Sequence, residues 1–441
     1  MHSADDPAAQ RIRATDASRR EVWAWAMYDF ANSSYTTIVI TAIFNAYFVA
    51  VVAGNQAWAS LAWTAALAAS HVLLMIIGPM VGVYVDLRAN KKRVLLISTV
   101  GCVASTAALA LAGPNTLMLT TIFLVLSSFF FGIGENLIAA FLPELASEDH
   151  QGRLSGWGWS LGYVGGLLTL GICLLYMNWA TAQGQSAQQF VPVTIWITAV
   201  IFGIASLPTF MLLRERAQPQ EQRPDIGIMR RTGMRLLETL HRARGYTDLR
   251  RLLICMVVYQ AGIQTVIALV AIYAQQAMQF STQDTVRLIF VSNIAAALGA
   301  FTFGYIQDRI GHVATIGITL VGWITVIALA WAAQGALLFW VAANIAGLCL
   351  GASQSAARAF VAVLSPADRR GEFFGLWGLA GHLSAIVGPL TYGVVSWLSG
   401  GNHRAAMLFT GSYFVLGLLL LAGIDAERGK RAAHECTDKP A

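Results

Sequence analysis

Charged residues are scarce in this 441-residue chain. Asp, Glu, Lys and Arg make up 12% of it, where soluble globular proteins carry roughly 25%. Set beside 56% hydrophobic residues and a mean hydropathy of +0.60, that shortage excludes an ordinary water-soluble domain and points to a polytopic membrane protein. Cysteine is scarce too. The five present (Cys102, Cys173, Cys255, Cys349 and Cys436) are odd in number. The first four lie in apolar runs without metal-ligand spacing, so they read as small core residues, with no disulfide framework and no metal site. A nucleotide-binding GxxxxGK[ST] loop is missing, which disfavours an ATP-driven pump. Neither HExxH nor a nucleophile with its base is found, which disfavours an intramembrane enzyme. No cofactor is expected. The first twenty residues are polar and the apolar run behind them is too long for a signal-peptide core, so no cleaved signal is expected either.

What is present is apolar sequence in long blocks. Runs long enough to cross a bilayer fall near 22–52, 58–86, 93–113, 117–143, 154–178 and 191–213, then near 252–276, 285–308, 313–333, 336–364, 372–398 and 404–425. The predicted fold class is an all-α membrane protein with twelve transmembrane helices in two six-helix pseudo-repeats. The predicted division is a tail 1–21, a first half 22–213, a linker 214–251, a second half 252–425 and a tail 426–441. The net charge of +6 does not indicate nucleic acid as a partner, because the basic residues sit in short turns between spans and not on one polar surface. They cluster before span 1, after spans 2, 4, 8, 10 and 12, and through 214–251. The opposite turns (54–57, 114–116, 179–190, 334–335) have no Lys or Arg, so the positive-inside rule places both termini and the linker in the cytoplasm. Only Arg287 and Arg404 fall on the other side. Within the linker, residues 228–244 alternate apolar and basic residues at helical spacing, which fits either a helix on the anionic inner leaflet or a solvated basic loop.

The halves repeat each other. GVYVD at 82–86 matches GYIQD at 304–308, and GRLSGWGW at 152–159 lies against GEFFGLWG at 371–378, at offsets of 222 and 219 residues. A duplicated six-helix unit gives such offsets, and parallel repeats of this kind build one class of transporters. The segment Gly82-x-x-x-Asp86 with Lys91 and Lys92 resembles the loop motif of the major facilitator superfamily, and Gly304-x-x-x-Asp308-Arg309-x-Gly311 resembles its second copy. The first copy has Leu87 and Ala89 where the superfamily usually has a basic residue and glycine. An Asp at such a helix end can pair with basic groups or helix N-termini and latch the halves in one conformation. A narrower resemblance, to the vacuole-effluxer-like branch, comes from YDFANSSY in span 1, AFLPELA at 140–146, Gly351-x-x-Gln354-x-x-x-Arg358 and EFFGLWGLAG. It implies an exporter of amino acids or similar solutes.

The resemblance also implies a central cavity lined by spans 1, 4, 7 and 10. Independently, the intramembrane polar residues fall on those four spans: Asp29 and Asn32, then Glu135 and Asn136, then Gln260 and Gln264, then Gln354 and Arg358. An ionisable group in a span costs about 2.5–3.5 kcal/mol on insertion scales and normally faces a bundle interior or an ion or substrate path. Asp29, Glu135, Gln260 and Arg358 lie at similar depth, roughly 9–12 Å from the basic ends at 1.5 Å per residue. Arg358 keeps its proton, so one acid is expected to pair with it and the other to be cheapest when neutral. Glu135 is favoured as this proton carrier because Asp29 has Asn32 and Ser33 nearby as donors. A permanent ion-pair network is the structural alternative. His382, after Gly381, reads either as a proton relay or anion contact or as a hydrogen bond to a neighbouring helix, and His71 in span 2 as the latter. Trp157, Trp159 and Trp377 are assigned to the membrane interface, and the runs 162–166 and 347–353 to close helix approach.

The function this supports is a proton-coupled secondary transporter of a small polar solute, acting by alternating access. It is expected as a monomer in a bacterial inner membrane, with solute, protons and lipid as its partners. Two rivals share the same features: a facilitative uniporter without ion coupling, and a receptor or scaffold that kept the fold.

Overall fold

A computed structural model describes residues 17–217 and 246–435 apart from positions 55, 57, 281 and 401. Among the described residues, twelve helices are long and apolar enough to cross a membrane, and the chain is an integral multi-pass membrane protein. The first is α1 (Arg19–Tyr35). It opens on a capping box in which the Glu21 amide donates to Ser18 Oγ at 3.3 Å and the Ser18 amide to Glu21 Oε2 at 3.0 Å, satisfying two of the amides every helix start leaves free. The span continues in π-helical turns at Thr36–Ala42 and Phe48–Val52, around Phe44–Tyr47. The first of these begins on TTIVIT, a run of β-branched side chains that crowd the preceding turn of a regular α-helix. Then follow α2 (Ala59–Arg88), α3 (Lys91–Ala108), α4 (Leu117–Ala139), α5 (Gln151–Ala182) and α6 (Ala187–Leu212). The second half holds α7 (Thr247–Gln276), α8 (Thr282–Ile310), α9 (His312–Ala332), α10 (Ala336–Leu364), α11 (Arg370–Leu398) and α12 (His403–Leu421).

The two halves pack alike. In the first, α1 lies on α5 and α6, α2 on α4, and α3 on α4 and α6; in the second, α7 lies on α11 and α12, α8 on α10, and α9 on α10 and α12. Each contact recurs six helices later. The halves meet along two seams, α2 with α11 and α5 with α8, and glycine makes both approaches possible. A Cβ at Gly82 would overlap the Gly371 carbonyl, and one at Gly304 would stand 2.8 Å from the carbonyl of Gly152.

Two predicted boundaries shift. The linker is shorter than 214–251, because α7 begins at Thr247, and its first residues are pinned to the first half. Glu215 accepts from the amides of Lys91 at 2.6 Å and Lys92 at 3.2 Å, and Arg216 pairs with Glu21 at 3.0 Å. The tail 426–441 carries a further helix, α13 (Ala426–Glu435). It is fastened to the start of α7 by Arg428, which donates to Asp248 at 2.7 and 2.6 Å. The basic stretch 228–244, Cys436 and residues 1–16 of the first tail lie outside the described residues. Cys102, Cys173, Cys255 and Cys349 are buried free thiols.

Candidate functional site

Arg358 reaches across from α10 into the first half. Its Nη1 donates to Asp29 Oδ2 on α1 at 2.7 Å, its Nε to Ser155 Oγ on α5 at 3.0 Å and its Nη2 to the Ser155 carbonyl at 2.8 Å. The guanidinium lies 4.8 Å from the ring centre of Trp25 and 5.5 Å from that of Trp159, so two indoles cover what the hydrogen bonds leave open. Only 3% of the Arg358 side chain and 12% of the Asp29 side chain are exposed. The third helix can come this close because position 158 is glycine: a Cβ there would stand 2.6 Å from Arg358 Nη2 and 2.9 Å from Trp25. Asp29 is held by Arg358, and no hydrogen bond joins it to Asn32 or Ser33, the donors that favoured it on sequence grounds.

Glu135 on α4 is half-buried and makes no hydrogen bond or ion pair among the described residues. The charges acting on it are those of Asp29 and Arg358. Beside it Asn136 is wedged between Gly78 of α2 and Gly378 of α11, with its Nδ2 buried and unpartnered. Asn32, one turn beyond Asp29, likewise has a buried and unpartnered Oδ1. Gln260 and Gln354 bond each other across α7 and α10 at 3.1 and 3.4 Å, whereas Gln264, one turn further, has no partner among the described residues. The polar residues named from the sequence thus divide into a tied pair, an amide pair and a set with free hydrogen-bonding capacity.

The two loop-motif aspartates each sit on a helix N-terminus of the other half. Asp86, at the end of α2, accepts from the amides of Gly371 at 2.9 Å and Glu372 at 2.8 Å, at the start of α11. Asp308, near the end of α8, accepts from the Arg153 amide at 3.1 Å, at the start of α5. Both use amides with no intrahelical partner, at the positive end of a helix dipole. Lys91 and Lys92, grouped with this latch on sequence grounds, do not bridge the halves. Lys91 is buried in an ion pair with Glu144 of its own half, and Lys92 Nζ donates to the Leu213 carbonyl at 2.6 Å. Arg309 is exposed and unbonded among the described residues, and Gly311 caps the start of α9 at φ 88°, a backbone that favours glycine.

Other assignments change as well. Trp159 belongs to the Arg358 sandwich and Trp377 is buried at 7% exposure, so neither is an interface residue; Trp157 is 40% exposed. His71 and His382, by contrast, bond each other across α2 and α11, Nδ1 to Nδ1, at 3.1 Å, the hydrogen bond to a neighbouring helix expected of His71 and one of the two readings of His382. Among the described residues no group of three or more His, Cys, Asp or Glu could hold a metal ion.

The family model for vacuole effluxer Atg22-like proteins matches residues 45–434. The chain belongs to that family. This Atg22-like chain is 26% identical over 424 residues to an uncharacterized MFS-type transporter, YxiO, of Bacillus subtilis, covering 95% of this chain and 97% of that one. It is also 26% identical over 304 residues to autophagy-related protein 22-1 of Aspergillus fumigatus, a match that takes in 64% of this chain and 49% of the longer fungal protein. In structure it resembles the human organic anion transporter MFSD10 with a TM-score of 0.71, at 16% identity, over 95% of this chain and all of that one. The fold is that of the major facilitator superfamily. The Bacillus subtilis and human proteins carry the name of transporters, and membership of the superfamily supports a secondary-transport role for the Atg22-like chain.

Proposed function

We propose that this Atg22-like protein moves a small polar solute, with amino acids and dipeptides the first to try, by proton-coupled alternating access of its two halves, as a monomer in a bacterial inner membrane. The observation that carries this reading is the Asp29–Arg358 ion pair, which joins the halves in mid-bundle beside an unpaired Glu135. Arginine does not give up its proton, so Asp29 stays charged while the pair lasts. Glu135 has no cation of its own and is cheapest when neutral. Solute groups that compete for Arg358 or Asp29 loosen the tie between halves, and Glu135 takes up or releases the proton that accompanies the step. The unpaired amides of Asn32 and Asn136 offer an acceptor and a donor to the same solute. With the linker end in the cytoplasm, the Asp86 and Asp308 contacts close that side, and the conformation described is the one that faces outward.

The test compares Glu135→Gln with the parent protein in liposomes, measuring solute exchange and pH-gradient-driven accumulation side by side. Glu135→Gln is expected to keep exchange and to lose the response to the gradient. Accumulation that still follows the gradient in Glu135→Gln would transfer the proton to Asp29 or reduce the cluster to a structural tie.

A further inference from the structure

The contact between α2 and α11 does not end at the Asp86 latch. About 22 Å along α2 and about 16 Å along α11 from that latch, at 1.5 Å per residue, His71 and His382 face each other with ring centres 5.0 Å apart and planes 33° from parallel. They bond each other Nδ1 to Nδ1 at 3.1 Å. Neither ring has another hydrogen-bond partner among the described residues, and His382 Nε2 is buried and unpartnered. Such a bond needs one nitrogen to donate and the other to accept. The pair therefore keeps its bond when neutral or when it holds one extra proton, and loses it when both rings are cations, because two N–H groups then point at each other.

Among the described residues, no counter-ion is within bonding reach to offset that second charge. On the helices of the pair and those packed against them, the ionisable groups within the bundle are Glu135 on α4, Arg358 on α10, the phenols of Tyr84 on α2, Tyr259 and Tyr273 on α7, Tyr392 on α11 and Tyr413 on α12, and the thiols of Cys102, Cys255 and Cys349. The others stand at helix ends: Asp86 and Arg88 on α2, Lys91, Lys92 and Arg93 on α3, Asp248, Arg250 and Arg251 on α7, Arg370 and Glu372 on α11, and His403 and Arg404 on α12. None is hydrogen-bonded to either imidazole. We propose that the His71–His382 pair is a second proton-binding site, separate from the Asp29, Glu135 and Arg358 cluster, whose shared hydrogen bond fastens α2 to α11 and breaks when both rings are protonated. The second charge enters a buried pair with no counter-ion in bonding reach, so it takes stronger acid than an isolated histidine needs, and such acid loosens this seam without any solute.

The proposal uses the reading above only in taking the halves to move, and it is tested without substrate. Spin labels at Trp58→Cys and Leu398→Cys, exposed positions at the far ends of α2 and α11, report the separation of the halves in the full-length protein from about pH 8 to about pH 3. The expected result is a shift toward longer distances in acid, the ratio of the two populations changing by up to about tenfold per pH unit for each proton taken up. His71→Gln and His382→Gln are each expected to abolish the shift while leaving the distribution near pH 8 in place, and Glu135→Gln to retain it. If a single replacement fails to fold, His71→Asn combined with His382→Gln supplies an amide pair that bonds without a titrating proton and is expected to be flat across the same range. A flat response in the parent protein, or a shift that survives in the histidine variants, overturns the proposal and leaves the transport reading to be judged on liposome flux alone.

Discussion

At the scale of single residues, Arg358 is the group whose removal should cost most. It is buried, stacked between Trp25 and Trp159 and bonded to Asp29 and Ser155, so Arg358→Gln leaves a carboxylate in the bundle without its cation. Breaking a buried pair this way costs about 3–5 kcal/mol. Arg358→Gln is therefore expected to lower Tm clearly and to lose concentrative uptake, and Arg358→Lys, which keeps the charge without the planar fork, to fall between. An unchanged Tm in Arg358→Gln would mean that Asp29 does not depend on this partner. Gly158→Ala probes the same point without altering a charge. Its Cβ would stand 2.6 Å from Arg358 Nη2 and 2.9 Å from Trp25, and overpacking of this kind costs about 1–3 kcal/mol. We expect it to impair uptake with little loss of assembled protein in the membrane, and wild-type flux from Gly158→Ala would show that the site tolerates displacement. Asp29, Glu135 and Arg358 were legible in the sequence because a charge inside an apolar span is costly and therefore conspicuous. Trp25, Ser155 and Gly158 were not: an indole, a hydroxyl and a glycine in a membrane helix look the same whatever they touch, and only the meeting of α1, α5 and α10 gives them a role.

At the scale of elements, the latch consists of one helix end placed on another. The GxxxD spacing puts the aspartate one turn beyond the glycine, so the glycine lets α2 approach α11 and the aspartate then meets the amides that begin it. Asp86→Asn keeps one acceptor and turns the other into an NH₂ facing a backbone donor. It is expected to shift the population away from the conformation closed at the linker end by about 1–3 kcal/mol, the usual size of such couplings. Distances between labels on the two halves measure the shift, and an unchanged distribution with lost solute binding would place Asp86 in the site instead. The motif was legible; its reach was not. Lys91 and Lys92 stand next to the first copy in sequence, but they begin α3, whose start is turned toward Glu144 and Leu213 of its own half. Neighbours in sequence separated here because Ala89, at φ 48°, ends α2 and turns the chain. The short π-helical turns after Tyr35 escaped periodicity for a related reason, since a single-turn change in helix pitch leaves the apolar pattern intact.

For the molecule as a whole, the duplication read from offsets of 222 and 219 residues reappears as packing: each helix contact named in the first half recurs six helices later, with Gly82 and Asp86 matched by Gly304 and Asp308 across the opposite seam. A pseudo-repeat of this kind puts both ends of the chain on one face of the bundle, and the proposed function takes that face, where the basic residues gather, as the cytoplasmic one. Only Arg287 and Arg404 lie at the other end, and both are engaged locally. Arg287 pairs with Asp284 at 3.3 Å, and Arg404 donates to the carbonyls of Trp331 at 3.1 Å and Ala333 at 2.8 Å, at the end of α9. Two basic residues at that end against the many at the other leave the bias toward a cytoplasmic linker end in place. The described cysteines are buried, which makes the orientation measurable in a Cys436→Ser background with an impermeant thiol reagent on intact cells. Asn115→Cys, in the exposed turn between α3 and α4, is expected to react at once, and Arg309→Cys, exposed at the end of α8, only after the membrane is opened. The reverse pattern would invert the protein in its membrane, and with it the assignment of the latched side to the cytoplasm, so that the conformation described would face inward.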